Sequence, residues 1–297
     1  MNLMRLKWLW FGVSGLVILP GLISLALYGL NFGIDFTGGA IVEERLGGLP
    51  TDEGVKSAVS AAGITAISVT QSSDNVYVIR TKEMTRDQEN KLQVALSDKF
   101  GSAERLSLDE VGPTISSEVL RNALLALVLA SLFIVLYIAW SFRSVPKPAN
   151  SWQFGLTAIA ALLHDVLVVV GVFSILGHFL HVEVDSLFVT ALLTVIGFSV
   201  HDTIVVFDRI RENLRRSPDA DFTEIANSSL LQTLVRSLST SLTVVLTLTA
   251  VLLLVGPISS KLYWFVVALL VGIISGTYSS IFNATPLLVL WQERLRK

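Results

Sequence analysis

The sequence has no cysteine and little charge for its length. The absence of cysteine excludes disulfide bonds, thiol catalysis and cysteine-ligated metal sites. Only 15% of the 297 residues are charged, against about 25% in an average soluble domain. The net charge of −2 gives no indication of a nucleic-acid partner, and no motif indicates a cofactor.

Hydrophobic residues make up 52% of the chain, with a mean hydropathy of +0.66, and they fall in long blocks. This pattern predicts an integral membrane protein. The first block runs without charge from Trp8 to Ile34 and is followed by no clear small-x-small cleavage site. We therefore expect an uncleaved anchor.

Six segments are long enough for the roughly 20 apolar residues that a bilayer-spanning helix needs. They are Trp10–Leu30, Asn122–Phe142, Trp152–Leu176, Ser186–Phe207, Ser237–Val255 and Trp264–Leu290. The predicted fold is a polytopic α-helical membrane protein with six transmembrane helices. Pro218 is expected to break the extended fourth helix, residues 221–231 to form a short amphipathic helix, and Pro286 to kink or end the sixth.

Basic residues are concentrated at both termini and in alternate connections: Arg5, Lys7, Arg143, Lys147, Arg209, Arg211, Arg215, Arg216, Arg294, Arg296 and Lys297. The other short connections hold only Lys261. Since lysine and arginine stay on the cytoplasmic side, both termini are predicted to be cytoplasmic.

Between the first two spans, residues 31–121 form a segment with a soluble pattern, which this orientation places outside the cytoplasm. It divides the chain into residues 1–30, 31–121 and 122–297. Its predicted elements are strand 40–46, helix 51–62, strands 65–71 and 76–81, helix 85–100 and strand 105–109. The order β-α-β-β-α-β predicts a ferredoxin-like α+β domain. Neither helix carries a nucleotide-binding glycine loop, so we expect a binding or moving domain and no enzyme activity.

Asp202 lies in the apolar fourth span, about seven residues from Arg209. A carboxylate at membrane depth costs about 2.5–3.5 kcal/mol on insertion scales. It is interpreted either as a group that takes up and releases protons or as a structural polar contact between helices.

Arg236, at the start of the fifth span, is the candidate partner of Asp202. The alternative is an arginine that extends to the membrane surface. The hydroxyl residues after it could line water or bond to their own helix: Ser239, Thr240, Ser241, Thr243, Thr247 and Thr249.

Asp165, beside His164 in the third span, is either a second relay carboxylate or a partner for a neighbouring polar group. His201 should face away from Asp202 and is left out of the site. The connection with His178, His181, Glu183 and Asp185 is predicted to be a solvated loop rather than a metal site.

Two glycine patterns have structural meaning. Gly38 and Gly39 follow Asp35 at the exit of the first span, where they suit either a hinge or a plain turn. Gly272, Gly276 and Ser280 form a small-xxx-small stripe that allows another helix to approach closely.

Several of these stretches resemble the SecD/SecF family of Sec protein-export subunits. They are Phe32–Gly39, Gly112-Pro113, Leu163-His164-Asp165, and, with closer similarity to SecF members, Asp202–Glu212, Arg236–Ser241 and Gly276–Phe282. The resemblance covers essentially the whole chain. The family belongs to the resistance-nodulation-division superfamily, in which six spans are half of the usual unit.

The resemblance implies an accessory subunit in the bacterial cytoplasmic membrane that works with SecD, and sometimes YajC, beside the SecYEG channel. It implies use of the proton gradient to move preproteins at a late stage of translocation, with Asp202 and Arg236 on the proton path. Two alternatives remain open: a half-size proton-driven exporter of small molecules or lipids, and a non-conducting scaffold for SecD.

Overall fold

The computed structural model describes residues 2–48, 50–73, 75–143, 145–146, 148–255 and 260–295. The chain divides into two compact units, Phe32–Leu124 and the combination of Met1–Asn31 with Leu125–Lys297. The predicted topology-setting residues Lys147, Arg296 and Lys297 lie outside the described residues.

The elements follow one another in a simple order. They are a 3-10 turn (Leu3–Leu6), α1 (Lys7–Tyr28), α2 (Ile34–Thr37), β1 (Gly39–Leu46), α3 (Asp52–Ala61), β2 (Ala66–Ser73), β3 (Val76–Thr81), α4 (Arg86–Phe100), β4 (Ala103–Val111), α5 (Pro113–Ser141), α6 (Ser151–Leu180), α7 (Ser186–Arg216), α8 (Phe222–Val255), α9 (Ser260–Ser279), a π-helical turn (Ser280–Ala284) and α10 (Thr285–Leu295).

Six helices among the described residues are long and apolar enough to cross a membrane. They correspond to the six predicted spans, so the chain is a multi-pass α-helical membrane protein. The fourth span, α7, ends at Arg216, before Pro218 as predicted.

The prediction of a separate amphipathic helix over residues 221–231 is wrong. These residues belong to one continuous helix of 34 residues, α8, which extends from Phe222 to Val255. No glycine or proline interrupts this stretch, and the helix begins where the Asp221 carboxylate accepts a hydrogen bond from the Thr223 N–H at 3.0 Å.

Pro286 does not end the sixth span, which continues to Leu295. A π-helical turn, Ser280–Ala284, precedes it, and Pro286 is the second residue of α10. The wider turn accommodates the proline, whose missing N–H removes one bond from a regular α-helical ladder.

The unit Phe32–Leu124, called the outer unit after its predicted position, contains one antiparallel sheet with the strand order β2-β3-β1-β4, and its elements occur in the predicted order β-α-β-β-α-β. Its helices begin at the predicted caps. Thr51 accepts from the Gly54 N–H at 3.2 Å, and Thr85 forms a capping box with Gln88. Gly101 ends α4 in the left-handed conformation.

A partly buried ion pair joins two strands of the sheet and contacts α4. Glu44, at an irregularity in the β1–β4 pairing, is fully buried and accepts a hydrogen bond from Arg105 Nε at 3.1 Å. Arg105 also contacts Glu89 of α4, with 3.5 Å between Nη1 and Oε2. Burial raises the pKa of Glu44, and the Arg105 guanidinium partly opposes this shift.

Candidate functional site

The α7–α9 contact is unusually close because glycines of α9 face α7. A Cβ built on Gly272 would lie 2.1 Å from Val195 Cγ2, and one built on Gly276 would lie 3.0 Å from Ser199 Cβ. The predicted small-residue stripe therefore allows the close approach of another helix, and that helix is α7. Hydroxyl side chains of α9 also contact the carboxylate of Asp165 on α6.

Asp165 is the centre of a hydrogen-bond cluster in the unit formed by Met1–Asn31 and Leu125–Lys297, called the membrane unit below. Its side chain is fully buried. Oδ2 accepts from Ser199 at 2.5 Å and from Ser279 at 2.6 Å, and Oδ1 accepts from Ser275 at 2.7 Å. A carboxylate has about four acceptor positions. His164, with Nδ1 at 3.0 Å from Oδ1, approaches the fourth.

This cluster, defined as Asp165 with its four partners, joins three helices. His164 and Asp165 come from α6, Ser199 from α7, and Ser275 and Ser279 from α9. Asp165 thus links three helices, and donors from the protein surround its carboxylate where water would do so in solution.

Asp202 has a much sparser environment. Asp202 is 2% exposed, and its single hydrogen bond among the described residues comes from Ser241 of α8 at 3.4 Å. Ser241 in turn accepts from Thr277 of α9 at 2.6 Å. Most acceptor positions of Asp202 are therefore unfilled by the described part of the protein.

The structure does not bring Arg236 and Asp202 together. Arg236 is exposed, whereas Ser241, on the same helix, faces Asp202. Five residues at about 100° each place the two side chains roughly 140° apart around α8. Arg236 therefore lies on the outward face of the membrane unit, away from α7.

The hydroxyl residues that follow Arg236 separate into two groups. Thr240, Thr243, Thr247 and Thr249 each donate to the carbonyl four residues earlier, at 3.0, 2.8, 2.9 and 2.7 Å. This is the backbone-bonding alternative. Ser241 differs from them, because it contacts Asp202 and Thr277.

Some polar residues of the site were missed by the sequence reasoning. Ser275 and Ser279, four residues apart, turn the same face of α9 to Asp165. A buried row on α8 also has a regular four-residue spacing: Ser229, Thr233, Ser237 and Ser241. The i, i+4 repetition of small hydroxyl residues was a usable signal in both cases.

His178 and His201 lie outside the Asp165 cluster. His201 is exposed while Asp202 is buried, as the helical spacing predicted. His178 stacks on Tyr28, with ring centroids 3.6 Å apart, and Asp185 caps α7 by accepting from the Phe188 N–H at 2.9 Å. No group of three potential metal ligands occurs among the described residues.

The exit segment after α1 contains a short helix and two glycines. Asp35 is in the first turn of α2. Gly38 and Gly39 have φ values of +72° and +124°, and a Cβ on Gly39 would lie 2.6 Å from the Thr81 carbonyl oxygen. The backbone therefore requires glycine at Gly39 for conformation and for space.

Residues 91–294 match the C-terminal model of the protein-export membrane proteins SecD and SecF, and residues 23–43 match the SecD/SecF GG motif. The chain belongs to the SecD/SecF family. Membership accounts for the glycine pair at the exit of α1.

Individual relatives agree with this assignment. The chain is 47% identical to the protein translocase subunit SecF of Thermobaculum terrenum, covering 99% of this chain and 94% of that protein. It is 38% identical to the SecDF subunit of Bacillus subtilis, covering 96% of this chain and 37% of that one. The crystal structure of SecDF from Thermus thermophilus, a translocon-associated membrane protein, matches with a TM-score of 0.85 at 32% identity.

The last match covers 99% of this chain but only 39% of the SecDF chain. This chain thus corresponds to one part of a longer polypeptide in those relatives. Its place in the SecD/SecF family makes it an accessory component of Sec protein translocation.

Proposed function

We propose that this chain works with SecD beside the SecYEG channel and uses the proton motive force to promote late preprotein translocation. Asp202 is the proton-accepting group in this proposal. The observation that carries it is the contrast between two buried carboxylates: Asp165 is surrounded by donors, whereas Asp202 has one weak hydroxyl contact.

The sparse environment of Asp202 suits a group that gains and loses a proton. A protonated carboxyl needs fewer donors than a carboxylate does, so a single contact at 3.4 Å fits the neutral form. In the ionised form Asp202 would need a counter-charge in a low-dielectric setting. Arg236, on the adjacent helix, is the cation that we assign to that role.

The structure then corresponds to the state in which Asp202 and Arg236 are apart. Ionisation of Asp202 would attract Arg236, and because the two side chains differ in direction, α8 would have to turn or shift. One charge crossing the membrane potential contributes about 2.3 kcal/mol per 100 mV, enough to bias such an equilibrium. We assign Asp165 to the same pathway, as a second buried carboxylate whose hydrogen bonds also join α6, α7 and α9.

Both termini are assigned to the cytoplasmic side of the bacterial inner membrane, and the outer unit to the opposite side, on the distribution of lysine and arginine. The segment with Asp35, Gly38 and Gly39 is proposed to transmit movement to the outer unit. The partners in this proposal are SecD, SecYEG, the preprotein and, in some organisms, YajC.

The experiment measures preprotein translocation into membrane vesicles under an imposed proton gradient, with Asp202→Asn in place of the native chain. We expect loss of most of the gradient-dependent stimulation. The matched control is Asp208→Asn on the same helix, whose carboxylate pairs with Arg211 at the end of the span. Co-purification with SecD establishes that both variants assemble.

Full stimulation by the Asp202→Asn protein, with normal assembly, would contradict the proposal. If neutral substitutions at both Asp202 and Arg236 left stimulation intact while truncation of the outer unit removed it, the scaffold alternative would replace it. Proton-driven transport of a small molecule or lipid without the Sec channel would support the exporter alternative.

A further inference from the structure

A second group of polar residues lies where α1 meets the π-helical turn. Ser14 of α1 is buried and donates to Asn283 Oδ1 at 2.8 Å, and its Oγ lies 3.4 Å from the Tyr278 hydroxyl oxygen. Tyr278 donates to the Trp10 carbonyl oxygen at 2.7 Å. We call Trp10, Ser14, Tyr278 and Asn283 the α1 polar cluster. None of these four residues contacts Asp202 by a hydrogen bond in the described part of the chain.

His164 lies between this cluster and Asp165. Its Nδ1 is 3.0 Å from Asp165 Oδ1, and its ring stacks on that of Tyr278, with centroids 6.1 Å apart and planes at 27°. The two ring nitrogens of a histidine point in different directions. With Nδ1 used by Asp165, Nε2 is the atom left to interact elsewhere.

Two buried polar atoms here have no hydrogen-bond partner among the described residues: His164 Nε2 and Asn283 Nδ2. The two residues are 8% and 3% exposed. A buried donor or acceptor without a partner costs about 1–3 kcal/mol. Reversing the Asn283 amide does not remove the cost, since its oxygen would then lose the Ser14 donor.

The local backbone is also irregular at this point. Asn283 lies in the π-helical turn, which interrupts the last span between α9 and α10. Such turns are rare in proteins overall, and those that occur often lie at functional sites. Here the turn accompanies a side chain directed to α1, whereas Ser279, just before it, is directed to Asp165.

We propose that the α1 polar cluster holds buried water against His164 Nε2 and Asn283 Nδ2, and that His164 exchanges protons between this water and Asp165. Water is the ligand of suitable size that can both donate and accept among several polar atoms. The inference rests on the proposed function, because it extends the proton pathway from Asp165 toward α1.

The proton step is balanced within these groups. A protonated water gives a proton to Nε2, and the Nδ1 proton passes to Asp165 Oδ1, so that His164 stays neutral with its tautomer exchanged. One hydroxyl donor must then turn away from Asp165. The ionisable groups in contact with His164 are Asp165 of α6 and Tyr278 of α9, while α1 contributes only uncharged residues to the cluster.

The first test is a structure of the complex with SecD at a resolution that shows ordered water. We expect solvent density at hydrogen-bond distance, about 2.7–3.2 Å, from Nε2 and from Asn283 Nδ2. Protein atoms in those positions, or an empty apolar gap, would overturn the water site. This result does not depend on whether Asp202 carries protons.

The second test compares His164→Gln with His164→Phe in gradient-driven translocation across a range of pH. Glutamine can keep a hydrogen bond to Asp165 but cannot exchange a proton in this way, and phenylalanine keeps only the stacking on Tyr278. We expect the gradient-driven stimulation of translocation to fall about ten-fold or more in both variants, and its pH profile to change. His178→Gln is the matched control, since His178 also stacks on a tyrosine, Tyr28.

A wild-type pH profile in the His164→Gln protein would overturn the proton-exchange role even if water were present, because a purely structural role is kept by glutamine. Failure of the proposed function is a separate outcome. In that case Asp202→Asn retains its stimulation, and the water density at His164 is judged alone.

Discussion

The close α7–α9 contact predicts a size-dependent coupling between Gly272 and Val195. Replacing Gly272 with alanine adds one methyl group that points at Val195, whose Cγ2, Cγ1 and Cβ would lie 2.1, 2.7 and 2.9 Å away. Ordinary van der Waals contact begins at 3.4 Å. The Gly272→Ala protein must therefore move the two helices apart or force Val195 from its rotamer.

The cost of Gly272→Ala follows from how far the distance between the added Cβ and Val195 falls below van der Waals contact. The nearest distance is about 1.3 Å too short, and overpacking of this kind costs roughly 1–3 kcal/mol. Val195→Ala alone removes two buried methyl groups and should cost about 1–2 kcal/mol. In the double variant the new methyl group occupies space that the valine has left. We expect a favourable coupling energy of about 1–3 kcal/mol between the two changes.

The assay is reversible unfolding in mixed micelles of the wild type, both single variants and the double variant, together with gradient-driven translocation. Because Ser275 and Ser199 of the Asp165 cluster lie about one helical turn from Gly272 and Val195, Gly272→Ala should also reduce translocation, and Val195→Ala should restore part of it. The control is Gly155→Ala in α6, where an added Cβ meets nothing within 4 Å.

A Gly272→Ala protein as stable as the wild type would refute the reasoning, because the helices would then not be packed through this glycine. Additive costs in the double variant would refute it as well. They would mean that each change acts through a different contact.

Three further predictions concern other parts of the chain. Asp165→Asn should lower the unfolding free energy by about 2–4 kcal/mol, since an amide has one acceptor oxygen for four donors; unfolding in micelles checks this. Glu44→Gln should stabilise the outer unit against unfolding. The raised pKa of Glu44 means that its ionisation destabilises the folded state, so the gain in stability should be largest at neutral pH and should shrink as pH falls toward 4.5, the ordinary pKa. Hydrogen exchange of the β1 amides measures this gain. Gly39→Ala should reduce the exchange protection of these amides by more than about 1 kcal/mol, because of positive φ and the nearby Thr81 carbonyl, whereas Gly48→Ala, with positive φ but open space, should have the smaller effect.

Much of the fold could be predicted because its signals are local. Apolar length identified six spans, and alternation with capping residues gave the order of strands and helices in the outer unit. The capping box of Thr85 and Gln88 involves residues three apart and needs no tertiary contact. The error lay at residues 221–231, where the amphipathic stretch and the fifth span form one continuous helix because no glycine or proline interrupts them.

The site was less predictable, since it depends on helix rotation. The sequence places Arg236 and Ser241 within five residues of each other, but only packing decides which one faces α7. Likewise, Asp165 could be recognised as a buried acid, yet its three serine donors come from two other helices. The glycines that bring those helices close were recognised, but their partner helix was not.

The two buried carboxylates differ in what protonation would displace. Protonation of Asp165 must displace a donor, because its acceptor positions are filled by three hydroxyl groups and His164. Protonation of Asp202 displaces nothing comparable in the described part of the chain. Under the proposed function, His164 would admit protons to the filled site slowly, at the cost of one serine bond, while Asp202 responds directly and changes its attraction for Arg236. Variants at the two positions should therefore differ in kind: those at Asp165 should affect stability first, and those at Asp202 should affect gradient-driven translocation first.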